Sequence, residues 1–166
     1  MQTLPSVPIL LEKLQDFATA VATSLQESEV DWGWRPAPQE WSLTEVACHL
    51  RDVEGEVHQI RFRTVLEKEN AFLAGVSSNE WADLRQYQTQ DGVSALHAFL
   101  QARTDTLALL KPLTASDWQR KGSHSYLGPT SMHELLTLVV KHDQIHWEQI
   151  MMLRRKDAPK AVSDLM

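Results

Sequence analysis

Two histidines four residues apart, His142 and His146 in the run Lys141-His142-Asp143-Gln144-Ile145-His146-Trp147, are the residues of this chain best placed to do chemistry. On a helix that spacing stacks them one turn apart on a single face. The same face is apolar on either side, with Leu135, Leu138 and Val139 before the pair and Ile150 and Leu153 after it. Imidazoles in such a stripe need partners for their ring nitrogens, because a buried polar group without one is costly. A divalent metal ion is one such partner; a hydrogen bond to a backbone carbonyl is a commoner one. With seven histidines in 166 residues the pair alone is a weak signal, and a metal needs a third ligand.

Four segments with helical periodicity must position these residues. The first runs from about Pro8 to Gln26, with Leu10, Leu14, Phe17, Val21 and Leu25 on one face. The second starts at Ser42, an N-cap with Glu45 as its capping-box partner; its apolar row is Leu43, Val46, Leu50, Val53, Val57 and Ile60, and it should end near Phe72. The third follows Asp91-Gly92, carries Val93, Leu96, Leu100, Leu107 and Leu110, is interrupted by Arg103, and stops at Pro112. The fourth opens with Ser131 and Glu134, a second capping box, and continues to about Lys156, where basic residues suit the helix dipole. A short helix is expected between Gly75 and Gln90, a loop around Trp118 to Pro129, and a loose tail at residues 157–166. No sustained period-two alternation predicts a strand. Four amphipathic helices of this length pack most economically as an all-α four-helix bundle in a single domain, with its core over residues 8–156.

Composition narrows the partners. A net charge of −6 argues against nucleic acid, whose phosphates need a basic surface. No run approaches the roughly 18 apolar residues of a membrane span, and the N-terminus lacks the basic start and apolar core of a signal peptide. The single cysteine, Cys48, excludes an intrachain disulfide and suits a small buried apolar role better than that of nucleophile. The expectation is a soluble, cytoplasmic protein with a small-molecule substrate.

The third ligand comes from comparing the two capped helices. His49 lies seven residues after Ser42 and His142 eleven after Ser131, and both offsets return to within about 20° of the cap direction. His49, His142 and His146 would then form a three-histidine set of the kind that leaves a coordination position open. Asp52 and Glu56 fall on the side of His49 and could orient an imidazole or add a ligand. His124, in a Gly-flanked loop, could fold over the site. His58 is nine residues from His49, a turn of about 180° on an ideal helix, which predicts a solvated side chain. His97 and His133 read as surface or boundary residues. Other motifs are absent: Asp143 replaces the catalytic Glu of H-E-x-x-H, there is no G-x-S-x-G, and the paired Glu-x-x-His of di-iron bundles is missing.

Two blocks, Arg35-Pro36-Ala37-Pro38-Gln39-Glu40-Trp41-Ser42 running into Ala47-Cys48-His49-Leu50-Arg51-Asp52-Val53-Glu54, and Gly128-Pro129-Thr130 followed by Glu134-Leu135-Leu136 and His142-Asp143-Gln144-Ile145-His146, resemble the DinB/YfiT-like family of metal-binding four-helix bundles. The resemblance spans roughly Leu10 to Arg155. It implies an up-down-down-up bundle, often a homodimer, with nickel or zinc on His49, His142 and His146. It also implies, among its characterised relatives, thiol S-transferases with a low-molecular-weight thiol cosubstrate such as bacillithiol or mycothiol, a maleylpyruvate isomerase, and a domain of ergothioneine-synthesis enzymes. Three readings stay open. The first is an enzyme whose metal activates a thiol or a water, with thiol transfer ahead of hydrolysis and Asp52, Glu56 or His124 as proton carriers. The second is a metal-binding stress or sensor protein without turnover, and the third a structural bundle with satisfied core histidines.

Overall fold

The computed structural model describes residues 3–27 and 29–157; the expected loose tail lies, but for Asp157, outside them. Helix α1 is Val7–Leu25. Helix α2, Leu43–Val53, runs through a π-helical turn at Glu54–His58 into α3, Gln59–Glu67. After strand β1 (Phe72–Leu73) come the short α4 (Trp81–Leu84) and the long α5, Gly92–Leu110. Helix α6 (Ala115–Gln119), a hairpin of β2 (Lys121–His124) and β3 (Gly128–Ser131), and α7, Met132–Arg155, complete the order. Both predicted capping boxes form, Ser42 with Glu45 and Ser131 with Glu134. Each satisfies helix-start N–H groups that would otherwise lack partners.

Two apolar clusters fix the helix directions. One gathers Val21 and Leu25 from the end of α1, Leu43 and Val46 from the start of α2, Leu96 and Phe99 from the start of α5, and Ile150 and Leu153 from the end of α7. The other gathers Leu10, Leu14, Phe62, Val65, Leu107, Leu110, Leu135 and Leu136 from the opposite ends of the same helices. Helices α1 and α7 therefore run one way and α2–α3 and α5 the other, which is the up-down-down-up order. Two parallel neighbours need a crossover, and residues 68–91 supply it. No helix among the described residues is long and apolar enough to cross a membrane.

Two expectations need correction. First, a three-stranded sheet of order β1-β2-β3 is present, β1 parallel to β2 and β2 antiparallel to β3. Its strands are two to four residues long, too short to carry an alternation signal. Gly122 lets β2 lie on the core: a Cβ there would sit 2.6 Å from Leu73 Cδ1 and 2.9 Å from Val65 Cγ2. Second, the second helix changes register at the π-turn, where the Gln59 N–H bonds the carbonyl of Glu54, five residues back. The extra residue rotates everything beyond it by about 100°. Ile60, expected in the core, is exposed, and Phe62 and Val65 are buried instead.

Candidate metal centre

Helix α7 carries His142 and His146 inward one turn apart, and α2 brings His49 against them from across the bundle. The capping boxes set both helix starts, and the packing of α2 on α7 then brings His49 beside His142. The Nε2 atom of His142 lies 3.1 Å from Nε2 of His49 and 3.1 Å from Nε2 of His146. One nitrogen from each of the three rings falls within 4.8 Å of the others. Trp41 closes one side, its ring centroid 5.0 Å from that of His49. His49 and His146 are buried and His142 is half-buried.

Protonation states follow from the partners. The Gln149 side-chain oxygen lies 2.8 Å from Nδ1 of His146; an amide oxygen only accepts, so the ring proton is on Nδ1 and Nε2 offers a lone pair. Burial, reinforced by the neighbouring imidazoles, holds His49 down at about 3 and places His142 below the usual histidine range; burial also lowers His146. All three rings are therefore neutral near pH 7. A single proton on His142 Nε2 can point along one of its two 3.1 Å contacts, which leaves the other lone pair against lone pair. A cation at the centre satisfies all three. Two ligands at about 2.05 Å in a tetrahedral zinc site stand about 3.3 Å apart, close to the spacing here, so the donor set fits a divalent metal. The Nδ1 atoms of His49 and His142 have no hydrogen-bond partner among the described residues.

The remaining candidates lie elsewhere. Asp52 accepts from Tyr87 Oη at 2.6 Å, Arg85 Nη1 at 2.9 Å and Arg51 Nε at 2.6 Å; it is close enough to favour the charged form of His49 but does not hydrogen-bond it. Glu56 is half-exposed and pairs with Arg85. His124 sits in the β2–β3 hairpin, its Nδ1 accepting from the Tyr126 amide at 3.2 Å. None of the three hydrogen-bonds an imidazole of the cluster. Cys48 is fully buried, its Sγ 3.6 Å from Gln90 Oε1, and burial raises its thiol above the ordinary range.

The residues that do support the cluster are His58, expected from ideal helix geometry to be solvated, together with Glu54, Arg103 and Gln149. His58 is buried, not solvated, because the π-turn rotates it back toward the core; its ring centroid lies 5.1 Å from that of His142. Its Nδ1 is 3.2 Å from Glu54 Oε2. Burial works against ionisation of Glu54, but Arg103 and His58 outweigh it and hold the carboxyl below its usual range. The carboxylate accepts, and His58 Nδ1 carries the proton. Arg103, 1 % exposed, binds Glu54 through Nε (2.8 Å) and Nη2 (3.0 Å), Asp143 through Nη1 (2.7 Å) and Nη2 (2.9 Å), and the Leu14 carbonyl at 3.1 Å. This network ties α5 to α7 and to the π-turn at the level of the histidines. The available signals were a charge inside the apolar row of α5, the i, i+4 pair Glu54 and His58, and a Gln one turn after His146.

Comparison with known proteins places the chain in a family. The chain is 26% identical over 149 residues to a protein of Oceanobacillus iheyensis named as a candidate metal-dependent hydrolase, covering 89% of this chain and 84% of that one. Its fold matches that of YfiT from Bacillus subtilis, described as a probable metal-dependent hydrolase with an unusual four-helix bundle topology. That match has a TM-score of 0.79 at 20% identity, over 94% of this chain and 93% of the other. At the level of sequence, residues 10–150 match the model of one family, and the chain belongs to the DinB superfamily.

Proposed function

We propose that the protein is a metal-dependent hydrolase of a small organic molecule, with His49, His142 and His146 as the metal ligands and zinc or nickel as the metal. The observation that carries this reading is the convergence of three neutral imidazole Nε2 atoms at a spacing that protons cannot satisfy and a cation can. Three protein ligands is the count found at catalytic zinc sites, which keep one position for water or substrate. A divalent cation held there supplies Lewis acidity, which makes a water or a thiol nucleophilic at neutral pH. Gln149 keeps the His146 lone pair aimed inward. His58, with its proton fixed on Nδ1 by Glu54, has Nε2 free to take a proton in the cavity it lines beside His142. Hydrolysis moves ahead of thiol transfer because both relatives are named as hydrolases; transfer to a thiol cosubstrate is the alternative use of the same centre.

The test is metal analysis of protein purified without a histidine tag, followed by a screen of esters and amides. One divalent ion per chain is expected, removed by chelation and absent from His146→Ala, with hydrolysis that follows metal content. Metal-free protein as purified that takes up no stoichiometric zinc or nickel, or one ion per chain retained by His146→Ala, would overturn the assignment.

A further inference from the structure

Arg61 stands apart from the other arginines. Arg35, Arg51, Arg85, Arg103, Arg120, Arg154 and Arg155 each pair with a carboxylate, and Arg63 is exposed. Arg61 is half-buried, has no acid within ion-pair reach among the described residues, and donates one hydrogen bond, from Nη2 to the Ala74 carbonyl at 3.2 Å. A guanidinium has five N–H donors in a planar fork, so most of its capacity is unmet. Burial lowers its pKa, with no carboxylate to offset the effect.

This cation lines a cavity of about 220 Å3 shared with His58 and His142 and walled by Phe62, Leu138 and Val139. Arg61, Leu138 and His142 are each partly exposed, so the cavity opens to solvent. One cation, two imidazoles and an apolar wall, in a chain of net charge −6, is a lining that selects an anion with an apolar body. A cavity of about 150 Å3 holds benzene; in proportion, the one here holds about nine non-hydrogen atoms.

We propose that this cavity is the substrate site and that it takes small organic carboxylates, the carboxylate held by the Arg61 fork and the apolar body by Phe62, Leu138 and Val139. A planar carboxylate matches the fork with two parallel hydrogen bonds, and benzoate, at about nine non-hydrogen atoms, matches the volume, whereas phenyl phosphate, at about eleven, exceeds it. The assignment of the cavity to substrate rests on the hydrolase reading above; the acid-binding site itself does not.

Benzoate, benzamide and phenyl phosphate serve as probes, titrated by calorimetry at low ionic strength against the protein as purified. Benzoate should bind at least tenfold tighter than benzamide. Arg61→Gln should erase that preference, Arg61→Lys should retain part of it, and Arg63→Gln should leave it unchanged. Leu138→Trp, which fills the cavity from its partly exposed rim, should block benzoate and serves as the second variant should Arg61→Gln fail to fold. Equal binding of benzoate and benzamide, a preference that survives Arg61→Gln, or tighter binding of phenyl phosphate would overturn the proposal. Arg61-dependent benzoate binding without any hydrolysis would support the acid site and remove the hydrolase. Hydrolysis of neutral esters with unchanged kcat/KM in Arg61→Gln would support the hydrolase and remove the acid site as its substrate determinant.

Discussion

Replacing Arg103 with Met tests whether the buried ion network holds the metal centre together. Arg103 and Glu54 are each 1 % exposed and Asp143 is 3 % exposed, so the substitution leaves Asp143 buried without its ion-pair partner and Glu54 with only its hydrogen bond from His58. Removing one partner of a buried ion pair costs about 3–5 kcal/mol, because the other charge stays buried without compensation. That is a large share of the roughly 5–15 kcal/mol that holds a typical domain folded. For a chain of this size each kcal/mol moves Tm by about 2–4 °C, so the melting temperature should fall by roughly 6–20 °C. The loss should depend on pH with a definite sign. In the native protein Glu54 is held below its ordinary value, so it contributes stability above the unfolded carboxylate range, about pH 4.3, that is lost as pH falls through the lower folded value. Without Arg103, burial raises Glu54 instead and raises Asp143, which burial already holds above its ordinary value, further; the penalty grows as pH rises through the carboxylate range. Urea denaturation at pH 4.5 and pH 8 should therefore show the larger deficit at pH 8. The triple variant Arg103→Met, Glu54→Gln, Asp143→Asn should recover more than half of it, since neutral amides are cheaper to bury than carboxylates. A loss below about 1 kcal/mol, or an equal deficit at both pH values, would refute the reasoning.

Gln149→Leu frees the His146 ring to change tautomer and should weaken metal binding about 10–100-fold, read by competition with a chelating dye; unchanged affinity would show that Gln149 does not orient the ring. Chelated protein should lose stability as pH falls from about 6.5 toward 3, because the unfolded chain binds a proton at His49 that the folded chain, with this group at about 3, refuses. Equal unfolding free energies at pH 7.5 and pH 5 would contradict that. Ser42→Ala removes the side-chain cap that accepts from the Glu45 N–H and should cost about 1 kcal/mol by urea denaturation; an unchanged midpoint would mean that the cap contributes nothing.

Local patterning already determined the four long helices, both capping boxes and the three histidines that converge, because each is written in residues close together along the chain. The i, i+4 spacing of His142 and His146 fixes their common face whatever surrounds them, and the two S-x-x-E starts place His49 and His142 at comparable angles from their own caps. Tertiary structure decided the rest. The π-turn at Glu54–His58 has no local signature; it places Glu54 against Arg103 from α5, and it turns His58 inward and Ile60 outward against the expectation of an unbroken helix. Asp52 lies on the side of α2 that faces His49, but Arg85 and Tyr87, more than 25 residues away, hold it in an ion pair and a hydrogen bond, and Arg85 pairs with Glu56 as well. Arg103 looked like an interruption of an apolar row, and only the meeting of three helices shows the two carboxylates that make its burial tolerable. The cavity beside Arg61 exists only where α3 packs on α7. Periodicity reports which face of a helix is buried, whereas partners for buried charges come from other helices, and their identity is a property of the packed bundle.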